Sequence, residues 1–139
     1  MQIRPYLYFK GECQEAIELY KNAFNIKETE IMRFSDMPPN PDMPIPEEQK
    51  DWILQATIPF GDNFIRMSDS IGELNDNSTD RIGIVIESSA DIVKHAFNVL
   101  AEEGKVKMPL QETFFSPAYG IVYDKYGIMW NLATVPEEQ

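Results

Sequence analysis

Cysteine and histidine occur once each, as Cys13 and His95, in a chain of 139 residues. One thiol excludes an intramolecular disulfide and points to a reducing compartment. One imidazole excludes a two-histidine metal site within a single subunit. Basic residues are also scarce, 12 Lys and Arg against 23 Asp and Glu, for a net charge of −11. A field of that sign repels phosphate backbones and anionic lipid, so neither nucleic acid nor a membrane is an expected partner. No apolar run reaches the length of a bilayer span. The opening Met1-Gln2-Ile3-Arg4-Pro5 leads into an aromatic strand pattern without a signal-like segment. The expected location is cytoplasmic.

What is present reads as alternating strand and helix. Residues 2–9 (QIRPYLYF) are aromatic and β-branched and predict a strand. From Glu12 to Phe24 the apolar positions Ala16, Ile17, Leu19, Tyr20, Ala23 and Phe24 recur at helical spacing. A strand is expected over 27–34, then an extended loop over 37–46, where prolines 38, 39, 41, 44 and 46 forbid helix and central strand alike. Such a loop serves as a lid, a dimer arm or a plain surface excursion. Strands over 52–60 and 64–69 flank the turn Gly61-Asp62-Asn63, and the polar residues 70–80 form the expected linker.

The order then repeats: a strand over 81–87, a helix over 90–103 with Ser88 or Ser89 as N-cap, and strands near 105–110, 118–124 and 128–134. Two βαβββ modules, 1–72 and 80–135, are expected to share one core in a single domain, 1–139. Neither copy is large enough to fold alone. The fold class is α+β.

The opening PYLYFKGECQEAIELYKNAF, with DMPIPEE, MPLQETFF at 108–115 and YDKYGIMWN at 123–131, resembles the PhnB-like branch of the glyoxalase/bleomycin-resistance (vicinal oxygen chelate) superfamily. The resemblance implies paired βαβββ modules forming a curved mixed sheet around a cleft, helices on the outer face, in a homodimer. Enzymes of that superfamily hold a divalent metal with one residue from each of four strands. Laid on this chain without gaps, the pattern puts those positions at Pro5, Met67, Gly83 and Asn131. Pro and Gly carry no donor side chain and a thioether is too soft for a hard oxygen-binding ion, so no metal ligands and no cofactor are expected. The segment NDNSTD at 75–80 lacks the turn glycine and closing glutamate of a calcium loop. Some PhnB-like sequences bear a methyltransferase label. The seven scattered glycines offer no strand–glycine turn–helix cradle for an adenosyl cofactor.

Strand alternation assigns Pro5, Leu7, Ile65, Met67, Gly83, Val85, Met129 and Asn131 to the cleft and Trp130 to the helix side. A mostly apolar surface with one amide suits a small organic ligand held by burial, and no catalytic residue is assigned. Trp52, Phe114, Phe115 and Tyr119 are either further ligand contacts or core. His95 lies beside the helix stripe and reads as structural. Cys13, in the first helical turn, has no base to pair with. The leading expectation is a non-metal binder of an unknown small molecule. The alternative is a metal-dependent isomerase, lyase or dioxygenase whose site is completed across a dimer.

Overall fold

The computed structural model describes residues 1–72 and 81–135. The residues form two compact units, Met1–Lys21 with Ile26–Asp76, and Asn22–Asn25 with Asn77–Gln139. Most of the expected linker, and the whole calcium-like segment 75–80, lie outside the described residues.

In the first unit, β1 (Tyr6–Phe9) precedes helix α1 (Cys13–Phe24), followed by β2 (Glu30–Arg33), β3 (Ile53–Phe60) and β4 (Asn63–Asp69). The sheet order is β1-β4-β3-β2, with β1 parallel to β4 and the other pairs antiparallel. The α+β class and βαβββ order are as the sequence pattern predicts, although the first strand starts at Tyr6 rather than near residue 2. Helix α1 ends where Asn25 turns left-handed (φ 55°), a conformation its short polar side chain tolerates. The prolines hold 37–46 out of any strand, and single 3-10 turns at Phe34–Asp36 and Glu47–Gln49 bracket them.

The second unit repeats the plan with β5 (Ile84–Ser88), α2 (Ala90–Glu102), β6 (Lys105–Gln111), β7 (Tyr119–Tyr123) and β8 (Met129–Thr134), in the order β5-β8-β7-β6. Of the two candidate caps, Ser89 serves: its side chain accepts from the Ile92 amide at 3.4 Å. Gly104 follows α2 because a Cβ there would strike the carbonyl oxygens of Tyr123 and Leu100.

Each sheet has one buried face. In the second unit Val93, Ala96, Phe97 and Leu100 of α2 are buried, as are Val122, Trp130 and Leu132. A Cβ at Gly120 would meet Phe97 at 2.8 Å, which fixes the Gly120–Leu132 and Val122–Trp130 register pairs on the helix side. In the first unit Ala56, Ile58, Ile65 and Met67 are buried and lie opposite one another in register. Asp69, two residues beyond Met67 on the same face, accepts from the Cys13 amide at 3.0 Å and from the Ile53 amide at 3.0 Å. The carboxylate thereby anchors the start of α1 on that side.

Candidate functional site

The helix-free face of the second unit carries what alternation expected there. Val85 pairs with Asn131, Ile121 with Asn131 and Tyr123 with Met129. A Cβ at Gly83 would lie 2.8 Å from Met129 Cε and 3.5 Å from Asn131 Oδ1, so these four residues share one surface. Val85 is 55% exposed. Asn131 Oδ1 is shut off from solvent without a donor. Phe115 stands edge-on to Tyr119 at 4.9 Å and to Phe114 at 5.1 Å, so Phe114, Phe115 and Tyr119 extend an aromatic border rather than fill the core. Trp130 is on the opposite, buried face, donating from Nε1 to Asp124 Oδ2 at 2.9 Å.

The first unit corrects the expectation. Ile65 and Met67 are buried on the helix side, Met67 completely, and Leu7 pairs with Met67 on that side. Pro5 precedes the strand and accepts from the Arg66 amide through its carbonyl at 3.1 Å. Leu7, Ile65 and Met67 therefore lie off the helix-free face, and Pro5 lies outside the strand. The cause is a slip of one residue, and with a side-chain period of two that flips the whole strand. Phe9 is buried, so Tyr6 and Tyr8 point the other way. Gly11, at φ +82° with Trp52 packed where its Cβ would be, turns the chain from β1 into α1.

The helix-free face of the first unit therefore belongs to Tyr6, Tyr8, Phe64 and Arg66, with Arg4 reaching in. Tyr6 and Tyr8 stack at 4.7 Å with planes 24° apart. The guanidinium carbons of Arg4 and Arg66 lie 4.2 and 5.2 Å from the centroid of the same ring, Phe64. Sequence reasoning missed this group although its signal is there. In Phe64-Ile65-Arg66-Met67 the charged residue sits between two aliphatic ones, and a sheet with one solvated face places the charge outward.

The chemistry of those residues can be set against the divalent metal that the resemblance implies. On β1 and β4 the helix-free positions offer phenols and a guanidinium, which repels a divalent cation. On β5 and β8 they offer one amide oxygen. Among the described residues no three His, Cys, Asp or Glu side chains cluster closely enough to hold an ion. The donor set does not fit the divalent metal of the superfamily's enzymes.

Cys13 is fully buried. Burial pushes its thiol far above the ordinary range and the charge of Asp69 adds to this, with Arg33 opposing weakly. The N-terminus of α1, a position that lowers a thiol pKa, is already occupied by Asp69. His95 is exposed and its Nε2 donates to the Asn22 carbonyl at 2.9 Å, a structural tie. The proline loop borders an apolar pocket of about 590 Å³ with Phe34, Met37, Met43 and Ile45 among its lining residues. Its one cation, Lys50, is held by Glu47 at 2.6 Å. No described helix is long and apolar enough to cross a membrane.

Residues 1–133 match the family described as 3-demethylubiquinone-9 3-methyltransferase. The chain is 26% identical to protein YjdN of Escherichia coli, covering 99% of this chain and 98% of that one. It is similar to the crystal structure of protein PA1353 from Pseudomonas aeruginosa, at 29% identity and a TM-score of 0.82 over 99% of both chains. A PhnB protein from Bacillus cereus shares the fold at 24% identity and a TM-score of 0.76, covering 97% of this chain and 100% of that one.

Proposed function

Since the chain belongs to the 3-demethylubiquinone-9 3-methyltransferase family, a PhnB-like branch of the vicinal oxygen chelate superfamily, we propose that it binds a small organic molecule without a metal. The ligand is held by aromatic contact and burial against helix-free sheet faces, in a homodimer. The observation that carries this reading is the side-chain chemistry at those faces: Tyr6, Tyr8 and Arg66 in the first unit, Gly83, Val85 and Asn131 in the second. These groups offer flat apolar surface and a few N–H donors, which suit burial of a small molecule. Lewis-acid catalysis requires an anionic or imidazole donor set together with a base.

Methyl transfer is not the reading supported by the strand-to-helix turns. The first is Lys10-Gly11-Glu12, whose glycine faces Trp52, and the second is Ser89 alone. Neither is the glycine-rich cradle that an adenosyl cofactor requires.

The test is elemental analysis of untagged protein alongside native mass spectrometry of what co-purifies. The expected result is substoichiometric metal and a non-covalent organic adduct on a dimer. Stoichiometric divalent metal that is lost in Asn131→Ala would overturn this reading in favour of a metal-dependent isomerase, lyase or dioxygenase.

A further inference from the structure

Arg4 and Arg66 are cations in a chain whose acids outnumber its bases 23 to 12, yet neither has a carboxylate partner among the described residues. Several other basic side chains of the described residues are paired, Lys21 with Glu18, Lys50 with Glu47, Lys125 with Glu103, and Arg33 with Gln14 and the Asp51 carbonyl. Arg4 spends one Nη1 on the neighbouring Ile3 carbonyl at 3.3 Å. The Nε atoms of both Arg4 and Arg66 are closed off from water without an acceptor. A buried N–H of a charged group left without an acceptor is costly. The Phe64 ring, which both guanidinium groups approach, offsets only part of that cost, through its quadrupole.

Guanidinium is charged at every physiological pH and offers a planar fork of donors that matches an oxyanion in two-point fashion. The stacked Tyr6 and Tyr8 lie on the same strand face as Arg66, and Tyr8 is 55% exposed, which provides a flat aromatic wall beside the charge. We infer that the helix-free face of the first unit takes a small planar organic anion, its oxyanion head on Arg4 and Arg66 and its flat body against Tyr6 and Tyr8. The anion assignment rests on the ligand-binding reading above and names the class of ligand.

Isothermal titration of the untagged full chain with benzoate, phenylphosphonate and the neutral isostere benzamide tests it. The better of the two anions is expected to bind on the order of tenfold or more tighter than benzamide, the worth of one charged hydrogen bond. Its affinity should weaken as salt rises, and Arg66→Met should lose that margin. Arg66→Lys keeps the charge without the fork and should fall between. The comparison of charged and neutral ligands on the unaltered chain stands even where a variant fails to fold. A carboxylate or a phosphonate head is identified by which anion binds tighter. Equal binding of benzamide and the anions, or an Arg66→Met variant that folds and binds as before, overturns the anion assignment and leaves ligand binding intact. Absence of binding by every probe at millimolar concentration, together with no co-purifying adduct, overturns both.

Discussion

The two units share a strand order and differ in what their sheets present away from the helices. The first presents two guanidinium groups around Phe64 and a pair of stacked tyrosines. The second presents Val85, Ile121, Met129 and the amide of Asn131, bordered by Phe115 and Tyr119. A duplicated topology therefore fixes where a face lies while leaving its chemistry free. The scaffold needs only the helix-side positions to stay apolar. The hairpins differ in the same spirit: β3 and β4 turn through two residues, Gly61 and Asp62, whereas β7 and β8 are joined by a loop built around the buried Asp124.

That contrast in internal anchoring gives the largest expected effect. Asp124 accepts from the amides of Tyr126 and Ile128, at 2.9 and 3.1 Å, and from the Trp130 indole. Asp124→Ala leaves a buried indole N–H unmet and is expected to cost about 4 kcal/mol by urea denaturation. Asp69→Ala removes two acceptor contacts rather than three, and about 3 kcal/mol is expected. A reversed ranking would break the view that the longer hairpin depends on its carboxylate more than the first unit does on its own.

Next in size is a dependence on pH confined to the first unit. Folding keeps the Cys13 thiol protonated where the unfolded chain would release the proton. Stability from this source is complete below about pH 8.5 and falls by up to about 1.4 kcal/mol per pH unit above it. The readout is the difference between the unaltered chain and Cys13→Ala, whose slope should be shallower. Identical slopes would remove Cys13 from the account. The smallest effect belongs to His95→Ala, which gives up an exposed bond to the Asn22 carbonyl. A loss under about 1 kcal/mol is expected, and no change in ligand affinity by titration.

The element order was legible in the sequence because helical spacing over residues 13–24 and 90–102 and the turn signals are local. So was the helix-free face of β8, where Asn131 lies between Trp130 and Leu132 and alternation leaves one choice. The helix-free face of β1 and β4 was not reached, because the family pattern was laid on those strands one residue out of phase, which reverses every side chain. Local chemistry would have corrected it, since Ile65 and Met67 flank Arg66 and only one parity buries the aliphatic pair. The pocket in the proline segment was out of reach for a different reason. Proline spacing excludes helix and central strand but does not specify how a loop returns on itself to bring Phe34 beside Ile45.

Trp52 lies over Gly11 in the first unit, and Trp130 is bonded to Asp124 in the second. These are the only two tryptophans in the chain, so each unit holds a single indole that can be excited apart from the tyrosines. Trp130 is wholly excluded from water and Trp52 partly so, and the emission of Trp130 is expected at the shorter wavelength. Replacing either by phenylalanine leaves a spectroscopic reporter for the other unit, and whether the duplicated modules melt together or in sequence becomes readable without a label.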